Sequence, residues 1–176
     1  PGPPGAEPGL TASHFFEAPK MTYPYGTHVA VVEVDVETGQ VKLLKYAIAY
    51  DVGKAINPMI VDGQLVGALA QGIGGALLEE LVYDREGQLL TTTFMDYLLP
   101  TAMEMPAETI ALILEETPTP LNPLGVKGVG EGGSSGVGAA IANAIADALA
   151  PLGVPITALP LSPDRILGLI RDRRRA

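Results

Sequence analysis

Gly125-Val126-Lys127-Gly128-Val129-Gly130-Glu131-Gly132-Gly133 sets five glycines in nine residues around one carboxylate, and an Ala-rich run from Val137 to Leu149 follows it. Without side chains in the way, the backbone N–H groups of such a stretch can approach another group closely. A helix beginning just beyond adds further donors and the positive end of its dipole. The stretch therefore reads as a loop that holds a polar or anionic ligand on bare amides and presents Glu131 to it. A carboxylate kept in a dry, glycine-lined cleft titrates above its usual range, which suits a general base near neutral pH. The plainer reading of Glu131 is a first-turn acid that serves the helix dipole. Local physics does not separate the two. Lys127, four residues earlier, is placed either to anchor a phosphate or to pair with Glu131.

Downstream, Ser134 or Ser135 is the expected helix cap. The apolar positions Val137, Ala140, Ile141, Ala144, Ile145, Ala148 and Leu149 make a helical stripe, and Pro151 and Gly153 stop it. Ser162-Pro163-Asp164 opens a short last helix, Arg165 to Arg171. Upstream, Pro118, Pro120 and Pro123 stiffen the chain that delivers the glycine loop. Thr109 to Glu116 reads as a buried strand. Near the start, residues 28–36 alternate, with Ala30, Val32, Val34 and Val36 on one face. Glu37-Thr38-Gly39-Gln40 turns the chain, and Val41 to Tyr50 returns as a second strand. A second hairpin is expected from Glu80 to Phe94, turning at Asp84-Arg85-Glu86-Gly87.

Asn57-Pro58 is a helix start, Asn as cap and Pro in the first turn. The helix it opens contains Gly63, Gly67, Gly72, Gly74 and Gly75. Each interior glycine costs a helix about 0.5–1 kcal/mol relative to alanine. So many imply close approach of another backbone or a ligand, or a break near Gln71-Gly72. Gln71 is thus the second candidate, since an amide both donates and accepts; Gln64, seven residues earlier, shares its face. The resulting order gives an α+β fold of mixed β-sheets, drawn as hairpins, packed with two main helices. Residues 1–14 are expected as an extended or disordered arm, 15–170 as one domain and 171–176 as a basic tail.

A net charge of −9 argues against nonspecific nucleic-acid binding. The chain has no cysteine, which excludes disulfides and Cys-ligated clusters within it and fits a cytoplasmic setting. His14 and His28 are isolated, so no metal site is expected, and His28 reads as a strand-end residue. No uninterrupted apolar run of membrane-spanning length stands out. There is no phosphate-loop sequence, no dinucleotide fingerprint and no Ser, His and Asp set.

Several motifs resemble one family in their order and spacing. They are Tyr25-Gly26-Thr27-His28-Val29-Ala30-Val31-Val32-Glu33-Val34-Asp35, Asp51-Val52-Gly53 with Ile56-Asn57-Pro58, Gly63-Gln64, Gln71-Gly72-Ile73-Gly74 with Glu79, Asp96-Tyr97, and Gly128-Val129-Gly130-Glu131-Gly132-Gly133. Together they resemble the C-terminal part of the molybdopterin-binding large subunit of the xanthine dehydrogenase and aldehyde oxidase family. The branch holding the aerobic carbon monoxide dehydrogenase large subunit looks nearest. The resemblance implies a molybdenum pyranopterin, in the cytosine dinucleotide form, and hydroxylation of aldehydes or N-heterocycles, or oxidation of carbon monoxide, with water as oxygen source. It implies Glu131 as the general base, and Gln71, Gly72, Lys127, Gly128, Val129 and Gly130 as cofactor-facing residues. The family's large subunit is much longer, with further cofactor loops that are not in this sequence. The implied partners are the remaining part of that subunit and iron–sulfur and flavin subunits, with a homodimer as a further expectation. Alone, the chain is expected to bind no cofactor and to be catalytically silent. The alternative is a non-catalytic anion- or nucleotide-binding or assembly module that keeps the fold.

Overall fold

The computed structural model describes residues 11–175. Most of the arm expected at 1–14 lies outside them; residues 11–24 carry no helix or strand. Strand β1 (Tyr25–Val34) pairs antiparallel with β2 (Val41–Asp51), and β2 pairs in parallel with β3 (Glu108–Leu114). The result is one three-stranded mixed sheet in the order β1-β2-β3, where several hairpin sheets were expected. A parallel neighbour needs a crossover. Helix α1 (Pro58–Leu77) lies in that connection, followed by a long irregular segment. Helix α2 (Val137–Leu149) packs on α1 and β1, and α3 (Pro163–Arg175) closes the chain.

The sheet has two unlike faces because β side chains alternate. Ala30, Val32 and Val34 turn inward beside Tyr46, Ile48 and Tyr50, as the alternation required. Val61, Leu65, Leu69 and Ile73 of α1, and Val137, Ile141, Ile145 and Leu149 of α2, complete the core. Val36 falls beyond the strand, in the turn, and is exposed. The opposite face is open. Its aligned rows include Val29–Ala47–Ile110 and Thr27–Ala49–Leu112, with Val29, Ile110 and Leu112 exposed. So β3 is not the buried strand its composition implied. It is an edge strand with one face inward.

Other expectations are adjusted by local chemistry. Asn57 caps α1, its side-chain oxygen accepting from the Ile60 N–H at 3.2 Å. The helix runs unbroken through Gln71-Gly72. It is also long and apolar enough to cross a membrane by length and composition, although one stripe of it forms this core. Residues 80–94 keep only a single Tyr83–Leu89 bridge around the expected turn. Helix α2 begins two residues after Ser135 without a side-chain cap. The hydroxyl of Ser134 instead donates back to the Glu131 carbonyl at 3.0 Å. Helix α3 continues through Arg175, so the basic residues set apart as a tail form its last turns, where cations favour the dipole.

Candidate functional site

The site is built where the loop before α2 crosses α1. Its glycines separate into two kinds. Added carbons show why some are needed. A Cβ on Gly133 would stand 2.8 Å from the Ala68 Cβ and 2.9 Å from the Leu65 Cα on α1. One on Gly132 would stand 2.8 Å from the Tyr50 ring, and one on Gly136 would run into His28. Gly72 faces Val137 at the contact between the two helices, so its lack of a side chain serves helix packing. These glycines let the protein touch itself.

The second kind has no such account. Gly63, Gly67, Gly75 and Gly128 would meet nothing within 4 Å, and Gly130 would meet only the Gln64 side-chain amide, at 3.7 Å. None of the five requires a positive φ. Three lie on α1, where together they cost about 1.5–3 kcal/mol of helix propensity with no packing return among the described residues. Gly67 and Gly75 fall on one helix face with Gln64 and Gln71 (positions 64, 67, 71 and 75), all exposed. That face runs up to Gly130 and the turn that carries Glu131.

Backbone donors follow the same division. The Lys127 N–H donates to the Val52 carbonyl at 3.0 Å. The N–H groups of Gly128, Val129, Gly130 and Glu131 donate to no other described residue. Val129 packs its side chain on the core, while Gly128, Gly130 and Glu131 are exposed. From Gly132 a series of tight turns leads into α2, with Gly132 N–H bonded to Val129 O at 3.1 Å and Ser134 N–H to Glu131 O at 3.1 Å. The Glu131 side chain is exposed and carries no hydrogen bond or ion pair to a described residue. It is not in a dry cleft within this chain.

Lys127 does not pair with Glu131. Its ammonium donates to Thr117 Oγ1 at 2.6 Å and Asp51 Oδ1 at 3.3 Å, and lies 4.5 Å from the Tyr25 ring centre. Asp51, quoted in the sequence only as part of a motif, is the one buried charged residue among those described. It also accepts from Gly53 N–H at 2.9 Å, Glu116 N–H at 3.1 Å and Thr117 N–H at 3.0 Å. Burial pushes its carboxyl up, but the hydrogen bonds from Gly53, Lys127 and Thr117 and the Lys127 charge outweigh burial and hold it below the usual carboxylate range. Asp51 thus ties the end of β2 to the loops on either side of the site. Its signal was present in the sequence as an acid ending an apolar strand. His28 lies inside β1 instead of at its end, and the Gln64 amide reaches to 3.7 Å from where a Gly130 Cβ would stand. Among the described residues no His, Asp and Glu cluster suited to a metal ion is found.

An exposed helix face bearing two amides thus lies beside a run of backbone donors and a carboxylate that have no partner among the described residues. The chain belongs to the molybdopterin cofactor-binding domain family, whose model matches residues 5–106, more than half of its length. This bears out the resemblance read from the motifs. It is 44% identical over 170 residues to the 6-hydroxypseudooxynicotine dehydrogenase complex subunit gamma of Paenarthrobacter nicotinovorans, covering 97% of this chain and 21% of that protein. It is 38% identical over 175 residues to the carbon monoxide dehydrogenase large chain of Hydrogenophaga pseudoflava, covering 99% and 21%. The crystal structure of a Cu,Mo-CO dehydrogenase superposes with a TM-score of 0.88 at 37% identity, covering 98% of this chain and 21% of that one. The chain therefore spans about a fifth of the length of the curated relatives it matches.

Proposed function

We propose that this chain is the base-bearing part of the cofactor cradle in a molybdenum hydroxylase large subunit. The observation that carries the reading is the set of open glycines and free amides beside an unpartnered Glu131. They fit a bulky polar group: no described side chain lies within 4 Å of where a Cβ would stand at Gly63, Gly67, Gly75 or Gly128, and the N–H groups of Gly128 to Glu131 donate to no other described residue. When bound, the molybdenum pyranopterin, in its cytosine dinucleotide form, supplies two-electron redox chemistry. The chain's own residues do the rest. The N–H groups of Gly128, Val129 and Gly130 donate to the cofactor, and the Gln71 and Gln64 amides donate or accept along the α1 face. Glu131 removes a proton during hydroxylation of an aldehyde or N-heterocycle, or during carbon monoxide oxidation. Lys127 and Asp51 fix the loop without touching the cofactor.

The remaining part of a large subunit is the natural cover for this site. It would exclude water around Glu131, a condition this chain does not meet alone. The open sheet face, with Val29, Ile110 and Leu112, is a second surface for that cover or for a second copy of the chain. Iron–sulfur and flavin subunits complete the electron path in the cytoplasm, and the chain in isolation turns nothing over. The test is Glu131→Gln in the assembled enzyme. Cofactor content should be retained while turnover falls about a hundredfold or more. Near-normal turnover would remove Glu131 from the role of base.

A further inference from the structure

Two neighbouring residues at the end of β2 grip the two ends of the loop that carries Glu131. Side chains at successive strand positions project to opposite faces. Asp51 takes the Lys127 ammonium at 3.3 Å, before the glycine run. Tyr50 lies against Gly132, immediately after Glu131. Between these two holds runs the stretch from Gly128 to Glu131, whose N–H groups donate to no other described residue.

The buried Tyr50 ring is fitted between two backbones. Gly26 stands opposite it on β1, and a Cβ there would run into the ring atoms Cδ2 and Cε2. On the other ring edge, a Cβ on Gly132 would stand 2.8 Å from Cε1 and 3.1 Å from Cδ1. The ring therefore fits only because both positions are glycine. The His28 imidazole packs edge-on against it, with ring centres 5.7 Å apart. The Tyr50 hydroxyl lies 3.2 Å from Ser135 Oγ, one hydroxyl donating to the other. Ser135 Oγ is in turn 3.5 Å from the Gly132 carbonyl oxygen. Ring and hydroxyl thus bear on the same turn. That turn is tied to Glu131, because the Ser134 N–H and hydroxyl both donate to the Glu131 carbonyl, at 3.1 and 3.0 Å. The Glu131 carboxylate has no partner among the described residues, so within them its direction is set by the backbone that carries it.

We propose that Tyr50 is a positioning residue for Glu131: wedged between Gly26 and Gly132 and bonded to Ser135, it holds the far end of the loop while Asp51 holds the near end. A tyrosine that only fills the core would be replaceable by phenylalanine without effect on this turn. The inference rests on the proposed role of Glu131 only in its kinetic arm.

Tyr50→Phe keeps the ring and removes the hydroxyl. Amide exchange in the full chain, followed by NMR, should speed up at Gly132 and Ser134 by about threefold to tenfold, the worth of one hydrogen bond. The core amides of Leu69 and Ile145 should exchange as in the parent. Unchanged exchange at the turn, or an equal rise at the core amides, would overturn the proposal. In the assembled enzyme, Tyr50→Phe and Ser135→Ala should each lower kcat by a similar factor, with KM and cofactor content unchanged. The double variant should be no worse than either single one, since both remove the same contact. Additive losses, or a parental kcat in Tyr50→Phe while Glu131→Gln is impaired, would overturn it. If Glu131→Gln turns over normally, the role of Glu131 as base fails, and the exchange result alone decides whether Tyr50 holds the turn. Should Tyr50→Phe not fold, Ser135→Ala, at an exposed position, carries the exchange and kcat measurements.

Discussion

The Lys127 ammonium and the Asp51 carboxylate meet 3.3 Å apart across 76 residues of chain, with side chains only 8% and 3% exposed. That contact joins the end of the central strand to the start of the loop carrying the open glycines. A buried pair stabilises only when its remaining donors and acceptors are satisfied. Here the Thr117 hydroxyl oxygen accepts a hydrogen bond from the Lys127 ammonium, and the Gly53, Glu116 and Thr117 amides donate to the carboxylate. The loop that exposes Gly128 to Glu131 is thereby held from its rigid end.

Acid should loosen this end first. The Asp51 carboxyl titrates lower in the folded chain than in the unfolded one, where the ordinary value is about 3.9. Its contribution is therefore fully present above that value and disappears as pH falls through the lower, folded value. Asp51→Asn strands the Lys127 charge, so the denaturation midpoint should drop at pH 7, and the gap to the parent should narrow below about pH 4. Urea titrations at several pH values check it; equal midpoints at pH 7 would refute the clamp.

Two neighbouring glycines should respond oppositely to alanine. At Gly133 the new methyl overlaps the α1 backbone and Ala68, so Gly133→Ala should cost about 1–3 kcal/mol, the usual range for overpacking. At Gly128 it enters open space at an unstrained φ, so Gly128→Ala should stay within about 1 kcal/mol of the parent, on the stable side. Thermal or denaturant unfolding of both variants separates packing glycines from open ones.

Bulk at Gly130 tests what the open ones are for. Among the described residues a Cβ there would meet only the Gln64 amide within 4 Å, so Gly130→Leu should leave the fold intact. In the assembled subunit it should lower molybdenum pyranopterin content severalfold, read by metal and pterin analysis. Full cofactor content would argue that this space has another occupant.

The outer sheet face should make the isolated chain associate. Val29, Val31, Ile110 and Leu112 are 55%, 46%, 41% and 51% exposed and stand on one face, enough apolar surface to favour a partner. Sizing chromatography should show concentration-dependent association, and Val31→Lys with Leu112→Lys should shift the chain toward monomer. A parent chain that stays monomeric at high concentration would contradict this.

What could be read from sequence depended on how local the cause was. Asn57-Pro58 fixed the start of α1 because capping is decided within four residues, and the alternation from Ala30 to Val34 named the inward face of β1. The parallel pairing of β3 was hidden, since it comes from a crossover and not from the strand's own composition. The glycine stretch announced close approach but not to what. Gly132, Gly133 and Gly136 approach Tyr50, α1 and His28, while among the described residues Gly128 approaches nothing and Gly130 only the Gln64 amide. Asp51 was legible only as a motif member, because apart from Gly53 its partners lie more than sixty residues away.

The central claim is that Glu131, held at the edge of an amide-lined cradle, moves the proton. Turnover per bound cofactor in the assembled Glu131→Gln enzyme tests it most directly. The expected result is a full cofactor complement with turnover reduced about a hundredfold or more. Turnover close to that of the parent, with cofactor equally bound, would contradict it.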